Sequence, residues 1–401
     1  MGGAGKPALG VGMVGYAFMG RVHSQAWRSV SAFFDLPVRP VMAAVCGRSA
    51  EGSAAAAEQL GWAGVETDWR ALIAREDVAV VDICTPGDSH AEIAIAALEA
   101  GKHVLCEKPL ANTVAEAEAM AKAARAAAAR GVYAMVAFNY RRVPAVALAA
   151  RWVAEGRLGQ IRHVRAQYLQ DWIVDPQFPL VWRLRRELAG SGALGDIGAH
   201  IIDTAQFVTG QRLTGVSGVT ETFVTRRPLA QASAGLSARS GSGADEAGVE
   251  MGEVDVDDAA LFIGRLSGGG LASFEATRFA GGRKNAMRIE VNGSAGSLAF
   301  DFEAMNELWF HDHSLPAEEA GFRRVLVTEA GHPYAGAWWP PGHGLGYEHT
   351  FTHEVRDFVE AITSGVAPAP SFDDGLNVQR VLAAVERSAA DQSRLTSVEG
   401  T

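Results

Sequence analysis

The chain has 401 residues, of which 48% are hydrophobic and 20% are charged, and this predicts a soluble globular protein with two domains. The net charge of −10 argues against a nucleic-acid surface and against an anionic-membrane anchor. We expect no membrane partner either, because no apolar run is as long as a membrane span and no signal peptide is recognisable. The three cysteines, Cys46, Cys84 and Cys106, lack metal-ligand spacing and fit a reducing cytoplasm, so we expect a cytoplasmic protein with no metal site.

The first motif is a glycine turn between a predicted strand, Leu9–Val14, and a predicted helix. It resembles the dinucleotide fingerprint G-x-G-x-x-G, with Ala17 where the second glycine usually stands. Gly15 would form the tight turn, Gly20 would let the helix pack closely, and the N–H groups at the helix start would bind a pyrophosphate. A plain glycine turn is the alternative, but the strand before it and the helix after it favour cofactor binding. The residues expected to contact the dinucleotide here are Gly15, Ala17, Phe18 and Met19.

The next strand, Val38–Cys46, ends in Gly47, Arg48 and Ser49. NAD-preferring sites usually carry Asp or Glu at this place, for the 2′-hydroxyl of the ribose. Arg48 instead offers a cation for a 2′-phosphate, so we expect Gly47 and Arg48 to contact the cofactor and NADP to be at least tolerated alongside NAD. A solvated arginine in a strand-to-helix loop is the alternative.

Strands and helices alternate as far as residue 138, which predicts a doubly wound parallel sheet in residues 1–138. One strand, His103–Cys106, ends abruptly in Glu107, Lys108 and Pro109. Ligands bind beyond the carboxyl ends of such strands, and Pro109 ends the strand because it has no N–H. A surface salt bridge between Glu107 and Lys108 is the alternative at this position.

From residue 139 the pattern changes, and 139–401 is predicted as an α+β domain with an open, mostly antiparallel sheet. The insert Phe223–Asp258 is rich in Pro, Gly and Ser and is predicted to be most loosely ordered over residues 230–253. Closing helices are expected over Glu348–Thr363 and Leu376–Ala390. The predicted strands, separated by turn residues, are Ile161–Leu169, Ala259–Leu266, Leu271–Thr277, Met287–Val291 and Ser297–Phe302.

Asp196 and His200 follow a glycine-rich stretch and lie four residues apart, so on a helix they share one face. A carboxylate, an imidazole and the Lys108 cation near a nicotinamide are what alcohol oxidation requires, since one group takes the hydroxyl proton and another stabilises the alkoxide. Taken alone, His200 is more typical of a core histidine than of a catalyst.

The glycine turn, the Glu-Lys-Pro strand end and the Asp-x-x-x-His segment together resemble the Gfo/Idh/MocA oxidoreductases over the whole chain. The resemblance implies NAD(P)-dependent oxidation or reduction of a secondary alcohol of a sugar, anhydrosugar or cyclitol. It implies catalytic roles for Lys108, Asp196 and His200, a cis Lys108–Pro109 bond, and a sheet face that assembles a homodimer or homotetramer. Its Thr-Pro-x-x-x-His cofactor motif matches Thr85, Pro86 and His90.

The remaining expected contacts follow from the same resemblance and from the flat aromatic faces and polar groups that sugars require, although each residue alone is equally consistent with packing or a salt bridge. Further cofactor contacts are expected from Glu107, Lys108, Asn139, Trp182 and Arg183. Substrate contacts are expected from Lys108, Tyr140, Arg142, Tyr168, Gln170, Trp172, Asp196 and His200, with Arg278 as a further pocket candidate.

Two other function classes remain open, a non-catalytic nucleotide or sugar sensor and an NAD-dependent glycoside-cleaving enzyme. The intact Lys108, Asp196 and His200 argue against the sensor. His349 and His353, with Glu354 adjacent, have the spacing of a metal pair, but no third ligand is apparent and a partly exposed helix face is the better interpretation.

Overall fold

The computed structural model describes residues 5–229 and 250–400. These form two compact units: unit 1 comprises residues 1–142 and 346–376, and unit 2 comprises 143–345 and 377–401. The predicted boundary after residue 138 lies close to the first division, but the segment 346–376 was expected in the second domain. It joins unit 1 because the apolar face of its helix, with Phe351, Val355 and Phe358, is part of the core beneath the first sheet.

The described residues contain ten α-helices and seventeen strands. The helices are α1 (Phe18–Phe33), α2 (Ala50–Leu60), α3 (Trp69–Ala74), α4 (His90–Glu99), α5 (Val114–Ala128), α6 (Pro144–Ala154), α7 (Arg186–Ala189), α8 (Ala199–Thr209), α9 (Tyr347–Ser364) and α10 (Phe372–Ala390). The strands are β1 (Ala8–Val14), β2 (Arg39–Cys46), β3 (Gly64–Glu66), β4 (Val80–Ile83), β5 (His103–Cys106), β6 (Ala134–Val136), β7 (Ile161–Leu169), β8 (Leu213–Glu221), β9 (Arg226–Pro228), β10 (Met251–Glu253), β11 (Ala259–Leu266), β12 (Leu271–Thr277), β13 (Ala286–Gly293), β14 (Gly296–Asp301), β15 (Glu307–Asp312), β16 (Arg323–Leu326) and β17 (Thr396–Ser397).

Unit 1 is a six-stranded sheet in the order β3-β2-β1-β4-β5-β6, and its paired strands are parallel. Val80, Val81 and Ile83 of β4 are fully buried, which is the continuous apolar pattern of a strand covered on both faces. The strand order reverses between β1 and β4, and ligands of such sheets bind at this switch point, beyond the carboxyl ends of the strands. The predicted doubly wound sheet is confirmed.

Unit 2 contains a nine-stranded sheet in the order β16-β15-β14-β13-β7-β12-β11-β8-β17. Every pair in it is antiparallel except β12 with β7, as the prediction of an open, mostly antiparallel sheet required. Burial alternates along β11, where Leu261 and Ile263 are exposed and Phe262 is buried. Such a strand has one covered and one open face.

β8 was not predicted from the sequence, and the order of part of the insert was underestimated. β8 carries Gly215 and Gly218, and a Cβ on Gly218 would lie 2.8 Å from the Cβ of Phe262, so close strand packing selects a residue that weakens the strand pattern. Met251–Glu253 was predicted to be loosely ordered but pairs with Arg226–Pro228 as a two-stranded ribbon. Residues 230–249 of the predicted loose segment lie outside the described residues. In the part of the chain that is described, no helix combines the length and apolar character needed to cross a bilayer.

Candidate active site

The glycine turn of unit 1 follows β1 directly. Gly15 has a φ of +95°, which L-residues rarely adopt, and its N–H donates to the Cys46 carbonyl at 2.9 Å. A Cβ on Gly20 would lie 2.2 Å from the Gly15 carbonyl oxygen, so only glycine allows α1 to start this close to the turn. Ala17 precedes α1, and no side chain of the described residues caps the helix there. The N–H groups at Phe18 and Met19 are therefore suited to a pyrophosphate.

The end of β2 is shaped by Tyr16, a residue inside the glycine motif that the sequence reading passed over. A Cβ on Gly47 would lie 2.1 Å from the Tyr16 ring, and one on Gly52 would lie 2.4 Å from its hydroxyl. Ser49 caps α2 by accepting from the Gly52 N–H at 3.1 Å. Arg48 remains exposed beside this packed turn, where a charged group can meet a ligand.

The structure brings the Thr85–His90 loop against both other motifs of unit 1. A Cβ on Gly15 would lie 2.8 Å from the Cys84 carbonyl oxygen, so the glycine turn lies directly against the start of this loop. His90 is 1% exposed; its Nε2 lies 2.9 Å from the Thr85 carbonyl oxygen and its Nδ1 lies 3.1 Å from that of Pro109. Its ring is therefore a brace between Thr85-Pro86 and the Lys108-Pro109 segment. This differs from the direct cofactor contact that the sequence suggested for it.

The Glu107-Lys108-Pro109 segment continues from β5, at the fifth position of the sheet. The Glu107 N–H donates to the Ile83 carbonyl at 2.9 Å, so the chain stays paired to β4 for one residue beyond the strand. Glu107 is 4% exposed, Lys108 is partly buried, and the Lys108–Pro109 bond is cis, as expected. Because Glu107 is buried, a surface salt bridge between Glu107 and Lys108 is excluded as the explanation of this pair.

The segment Asn139–Arg142 forms a buried 3₁₀ turn after β6, and two of its side chains bond to α9. Asn139 donates to the Thr350 hydroxyl at 2.9 Å. Arg142 is 4% exposed, and its Nε donates to Asp357 at 3.1 Å. These bonds anchor α9 in unit 1, because a buried guanidinium requires a charged partner. Tyr140 is likewise buried, at 3% exposure, but so is Tyr168, and burial therefore does not separate the two; the substrate contacts of Tyr140 and Arg142 stay predictions.

In unit 2, the predicted catalytic helix begins with a π-turn, Leu194–Gly198, which runs into α8. Asp257 holds its start: the Gly192 and Leu194 N–H groups each donate to its carboxylate at 2.7 Å. A Cβ on Gly192 would lie 1.7 Å from the Asp257 carbonyl oxygen. The glycine-rich lead-in therefore allows this close approach, and π-turns are frequent at functional sites.

Asp196 lies on the π-turn between two guanidinium groups. Its Oδ2 is 3.9 Å from Nε of Arg183 and 3.8 Å from Nη1 of Arg278. Arg278 is fully buried and its Nη2 donates to the Asp257 carbonyl at 3.0 Å, so its position is fixed. The Arg183 guanidinium lies 4.3 Å from the centroid of the Trp182 ring. Trp182 and Arg183, predicted as cofactor contacts, thus belong to the surroundings of Asp196.

His200 lies on α8 with its ring centroid 5.9 Å from that of Tyr168 on β7. The Tyr168 hydroxyl donates to Oδ1 of Asn285 at 2.6 Å, and Nε2 of Gln170 donates to the same oxygen at 3.0 Å. Trp172 Nε1 in turn donates to Gln170 Oε1 at 3.1 Å. The structure therefore joins the predicted Tyr168, Gln170 and Trp172 into one hydrogen-bonded row.

Three residues that complete this cluster were missed or underweighted: Asn285 and Asp257 were not identified, and Arg278 was only a pocket candidate. None carries a local signal. Asn285 follows a turn and is 117 residues from Tyr168, whereas Asp257 is 65 residues from Gly192. The structure brings Tyr168 and Asn285 together because β13 pairs with β7, which places Met287, two residues after Asn285, opposite Tyr168.

In the histidine pair of α9, His349 is partly exposed as predicted, whereas His353 is not. His353 and Glu354 are fully buried, and His353 Nδ1 lies 2.9 Å from the Arg142 carbonyl oxygen. Burial lowers the pKa of His353 to about 3, so its ring is neutral. His349 Nδ1 accepts from the Gly346 N–H at 3.0 Å at the helix start. Each histidine thus has a structural contact that explains it.

Residues 9–138 match the model of an oxidoreductase family with an NAD-binding Rossmann fold, and residues 146–299 match the GFO/IDH/MocA C-terminal domain. A levoglucosan dehydrogenase of Pseudarthrobacter phenanthrenivorans is 43% identical over 389 residues, covering 96% of this chain and 97% of the relative. An oxidoreductase domain protein from Kribbella flavida has 62% sequence identity and a TM-score of 0.92, covering 98% of this chain and 99% of that one.

A levoglucosan dehydrogenase solved in complex with NADH and levoglucosan is 42% identical with a TM-score of 0.89, covering 98% of this chain and all of that one. These matches confirm the predicted fold class and the predicted nicotinamide-dependent oxidoreductase activity. The chain belongs to the Gfo/Idh/MocA family of NAD-binding oxidoreductases.

Proposed function

We propose that this protein interconverts a secondary alcohol and a ketone on an anhydrosugar or a related sugar or cyclitol. The observation that carries the proposal is the cluster in unit 2 around Asp196 and His200. It combines an ion-paired carboxylate, an imidazole, and the aromatic and amide groups of Tyr168, Gln170 and Trp172. Aromatic faces with polar groups at their rims suit a polyhydroxylated ring, and the relatives that act on levoglucosan support that class.

The residues of the glycine turn fit a dinucleotide. The positive φ of Gly15 and the narrow space at Gly20 keep backbone N–H groups open toward the turn, and Ala17 is exposed there. We propose that Phe18 and Met19 bind the pyrophosphate through their N–H groups. Thr85 and Pro86, braced by His90, and Gly47 and Arg48 are the other proposed contacts. The nicotinamide, when bound, supplies the hydride acceptor or donor.

Each catalytic group has a separate proposed role. His200 takes the proton of the substrate hydroxyl as general base and returns it in the reverse reaction. The Lys108 ammonium stabilises negative charge that develops on a substrate oxygen. Asp196, held by Arg183 and Arg278, orients His200 and stabilises the imidazolium that forms. Glu107 is assigned to the positioning of Lys108.

The test is a nicotinamide-absorbance screen of levoglucosan, other sugars and inositols with NAD and with NADP. We expect reduction of at least one cofactor by a sugar or cyclitol, and no reduction with Lys108→Ala under the same conditions. A double-mutant cycle with His200→Ala should be strongly non-additive if both side chains serve one step. Release of an aglycone without net reduction would instead indicate glycoside cleavage, and no turnover with any substrate would overturn the proposal.

We further propose a cytoplasmic homo-oligomer that assembles through the open face of the nine-stranded sheet. Val219, Leu261 and Ile263 are 51%, 47% and 61% exposed, and Val219 pairs directly with Leu261. A shallow depression on this face is lined by strands β7, β8, β11, β12, β13, β14 and β15. Contiguous exposed apolar side chains on a sheet favour a second copy of the same surface. The free, buried cysteines are consistent with a reducing compartment.

Sedimentation measurements test the assembly. The wild-type protein should sediment as a dimer or tetramer, and Ile263→Glu should shift it to a smaller species because it buries a charge in the contact. The matched control is Val366→Glu, which changes an equally exposed residue (62%) outside the sheet and should leave the mass unchanged. A monomeric wild type would refute this part of the proposal.

A further inference from the structure

A buried row of charged side chains in unit 1 leads to Lys108 and is unexplained by the roles assigned so far. It runs from Asp82 on β4, through His23 on α1, to Glu107 after β5. Nδ1 of His23 lies 3.0 Å from both carboxylate oxygens of Asp82, and Nε2 lies 3.0 Å from Oε1 of Glu107. The three residues are 0%, 1% and 4% exposed. Buried charges at this density are rare unless they are paired.

The hydrogen bonds define the protonation of His23. A carboxylate only accepts hydrogen bonds, so a ring with protons on both nitrogens can donate to Asp82 and to Glu107 at the same time. Burial by itself lowers the pKa of His23, but Asp82 and, to a smaller degree, Cys84 raise it, and the result lies well above the ordinary value. His23 is thus an imidazolium between two carboxylates.

His23, Asp82 and Cys84 are also the one group of potential metal ligands that approach within 4.8 Å among the described residues. Their contacts explain the cluster without an ion. Asp82 additionally accepts from Nε1 of Trp27 at 2.7 Å and from Sγ of Cys84 at 3.6 Å. Both nitrogens of His23 already face carboxylates, so this is a hydrogen-bonded strut.

The strut ends at the backbone of Lys108. Oε2 of Glu107, the oxygen that does not face His23, accepts from the Lys108 N–H at 3.0 Å. Glu107 is thereby held at both oxygens, one by a side chain of α1 and one by the residue that it positions. Because α1 starts at the glycine turn, a single imidazole connects the cofactor-binding helix to the Lys108 strand end.

We propose that His23 is a positioning residue: it holds Glu107 in the orientation in which Glu107 fixes the backbone of Lys108 for the reaction. The role of Lys108 rests on the proposed function, whereas the link from His23 to the Lys108 amide is independent of it. Loss of His23 leaves two buried carboxyl groups without the ring that joins them, and Glu107 is then free to turn away. This change releases the Lys108 N–H.

The first readout is amide hydrogen exchange at Lys108, which needs no substrate. Pro109 has no amide hydrogen, so the Lys108 amide is well separated from the next one in overlapping peptides. With His23→Leu, and more weakly with His23→Gln, whose amide still reaches Glu107, this amide should exchange about tenfold faster, the expected effect of losing a bond to a charged acceptor. The matched control is Trp27→Phe, which removes a bond to Asp82 in the same cluster and leaves Glu107 held.

The second readout separates positioning from stability. His23→Leu should lower kcat by about tenfold to a hundredfold, as misplaced catalytic groups do, with the KM for cofactor within about threefold of wild type. His23→Gln should recover part of the loss, and Trp27→Phe should keep kcat near wild type even where its Tm falls. If His23→Leu does not fold, the kcat and Tm of His23→Gln are compared with those of Trp27→Phe instead.

Unchanged exchange of the Lys108 amide in a folded His23 variant would overturn the proposal. A kcat that falls only in step with Tm, equally in His23 and Trp27 variants, would overturn it too. If the wild type turns over no sugar, the proposed function fails, and the exchange experiment still decides whether His23 holds the Lys108 segment.

Discussion

His23 in unit 1 and His200 in unit 2 are both nearly buried, at 1% and 7% exposure, yet their surroundings differ in charge. His23 lies between the carboxylates of Asp82 and Glu107, which hold it as an imidazolium. His200 lies beside the Tyr168 ring, on the helical segment whose Asp196 is paired with two arginines. His23 lies between two carboxyl groups, whereas the carboxylate on the helical segment of His200 is paired with two cations.

This difference teaches that burial alone does not assign a histidine to catalysis. A ring whose two protons are both committed to carboxylates has no free site for a substrate proton, so His23 is suited to holding other groups. Among the contacts of the described residues, His200 does not have carboxylates on both of its ring nitrogens, so it is the better candidate for moving a substrate proton. The experiments below test this contrast, starting with the largest expected effect.

His200→Ala should lower kcat by about a hundredfold or more, the usual scale for a positioned acid–base group. Cofactor binding, measured by NADH fluorescence, should survive, because none of the proposed cofactor contacts is removed. Steady-state kinetics with the best substrate of the screen provide the measurement. A turnover near wild type would assign the proton to Lys108 and would end the contrast between the two histidines.

Arg278→Leu removes the buried cation beside Asp196. The carboxylate of Asp196 then has fewer cations around it, as Asp82 and Glu107 have in unit 1, where they share His23. Because Arg278 is fully buried and bonded to Asp257, its loss should cost about 3 kcal/mol of unfolding free energy and lower kcat. Urea denaturation and kinetics measure the two effects. The control, Arg183→Leu, removes a partly exposed partner of Asp196 and should cost roughly 1 kcal/mol or less. Equal effects would show that burial of Arg278 is unimportant.

The same contrast separates what sequence predicts from what it leaves open. The glycine turn, the Glu-Lys-Pro strand end and the Asp-x-x-x-His segment were visible because each lies within a few residues and depends on backbone conformation. β11 and β12 were predicted at their observed bounds, since alternating polarity over seven or eight residues is a strong local signal.

The side-chain clusters were hidden because their members come from distant strands and helices. His23 is 59 residues from Asp82 and 84 from Glu107, so no window of sequence contains the strut. His353 and Glu354 were placed on a partly exposed helix face because no partner for them lies nearby in the sequence. The polar residues of α9 are buried through Arg142, a partner 211 residues away.

Glu354→Gln tests the protonation state of Glu354, a fully buried residue close to the cluster of His23, Glu107 and Asp82. Burial raises the pKa of Glu354 to about 8, against the opposing influence of Arg142 and His23 and with further raising by Glu107 and Asp82. Neither carboxyl oxygen has a hydrogen-bond partner among the described residues. In the unfolded chain the pKa of Glu354 is 4.5, so between pH 4.5 and 8 unfolding releases a proton from this residue. Glu354 therefore lowers the free energy of unfolding as the pH rises through this range.

Glutamine keeps the neutral shape, so the variant should gain stability relative to wild type by about 2 to 4 kcal/mol between pH 5 and pH 8. Urea denaturation at both pH values gives this difference, in which all other titrating groups cancel. Glu360→Gln, on the exposed side of the same helix, should show a much smaller pH-dependent change. A difference that does not change with pH would mean that Glu354 is already ionised in the folded protein.

Arg48→Ala should have the smallest effect, because Arg48 is an exposed cation outside both clusters and is not held by a buried network. Its proposed role is to attract the 2′-phosphate of NADP, so the variant should bind NADP about tenfold more weakly, with NAD affinity unchanged. Titration of both cofactors by fluorescence measures this, and added salt should shrink the NADP difference because exposed charges are screened. Arg28→Ala, an exposed arginine on α1, controls for the general loss of one positive charge. If Arg48→Ala leaves NADP binding unchanged, Arg48 is a solvated side chain and the preference between cofactors lies with Tyr16 and the packed glycines around it.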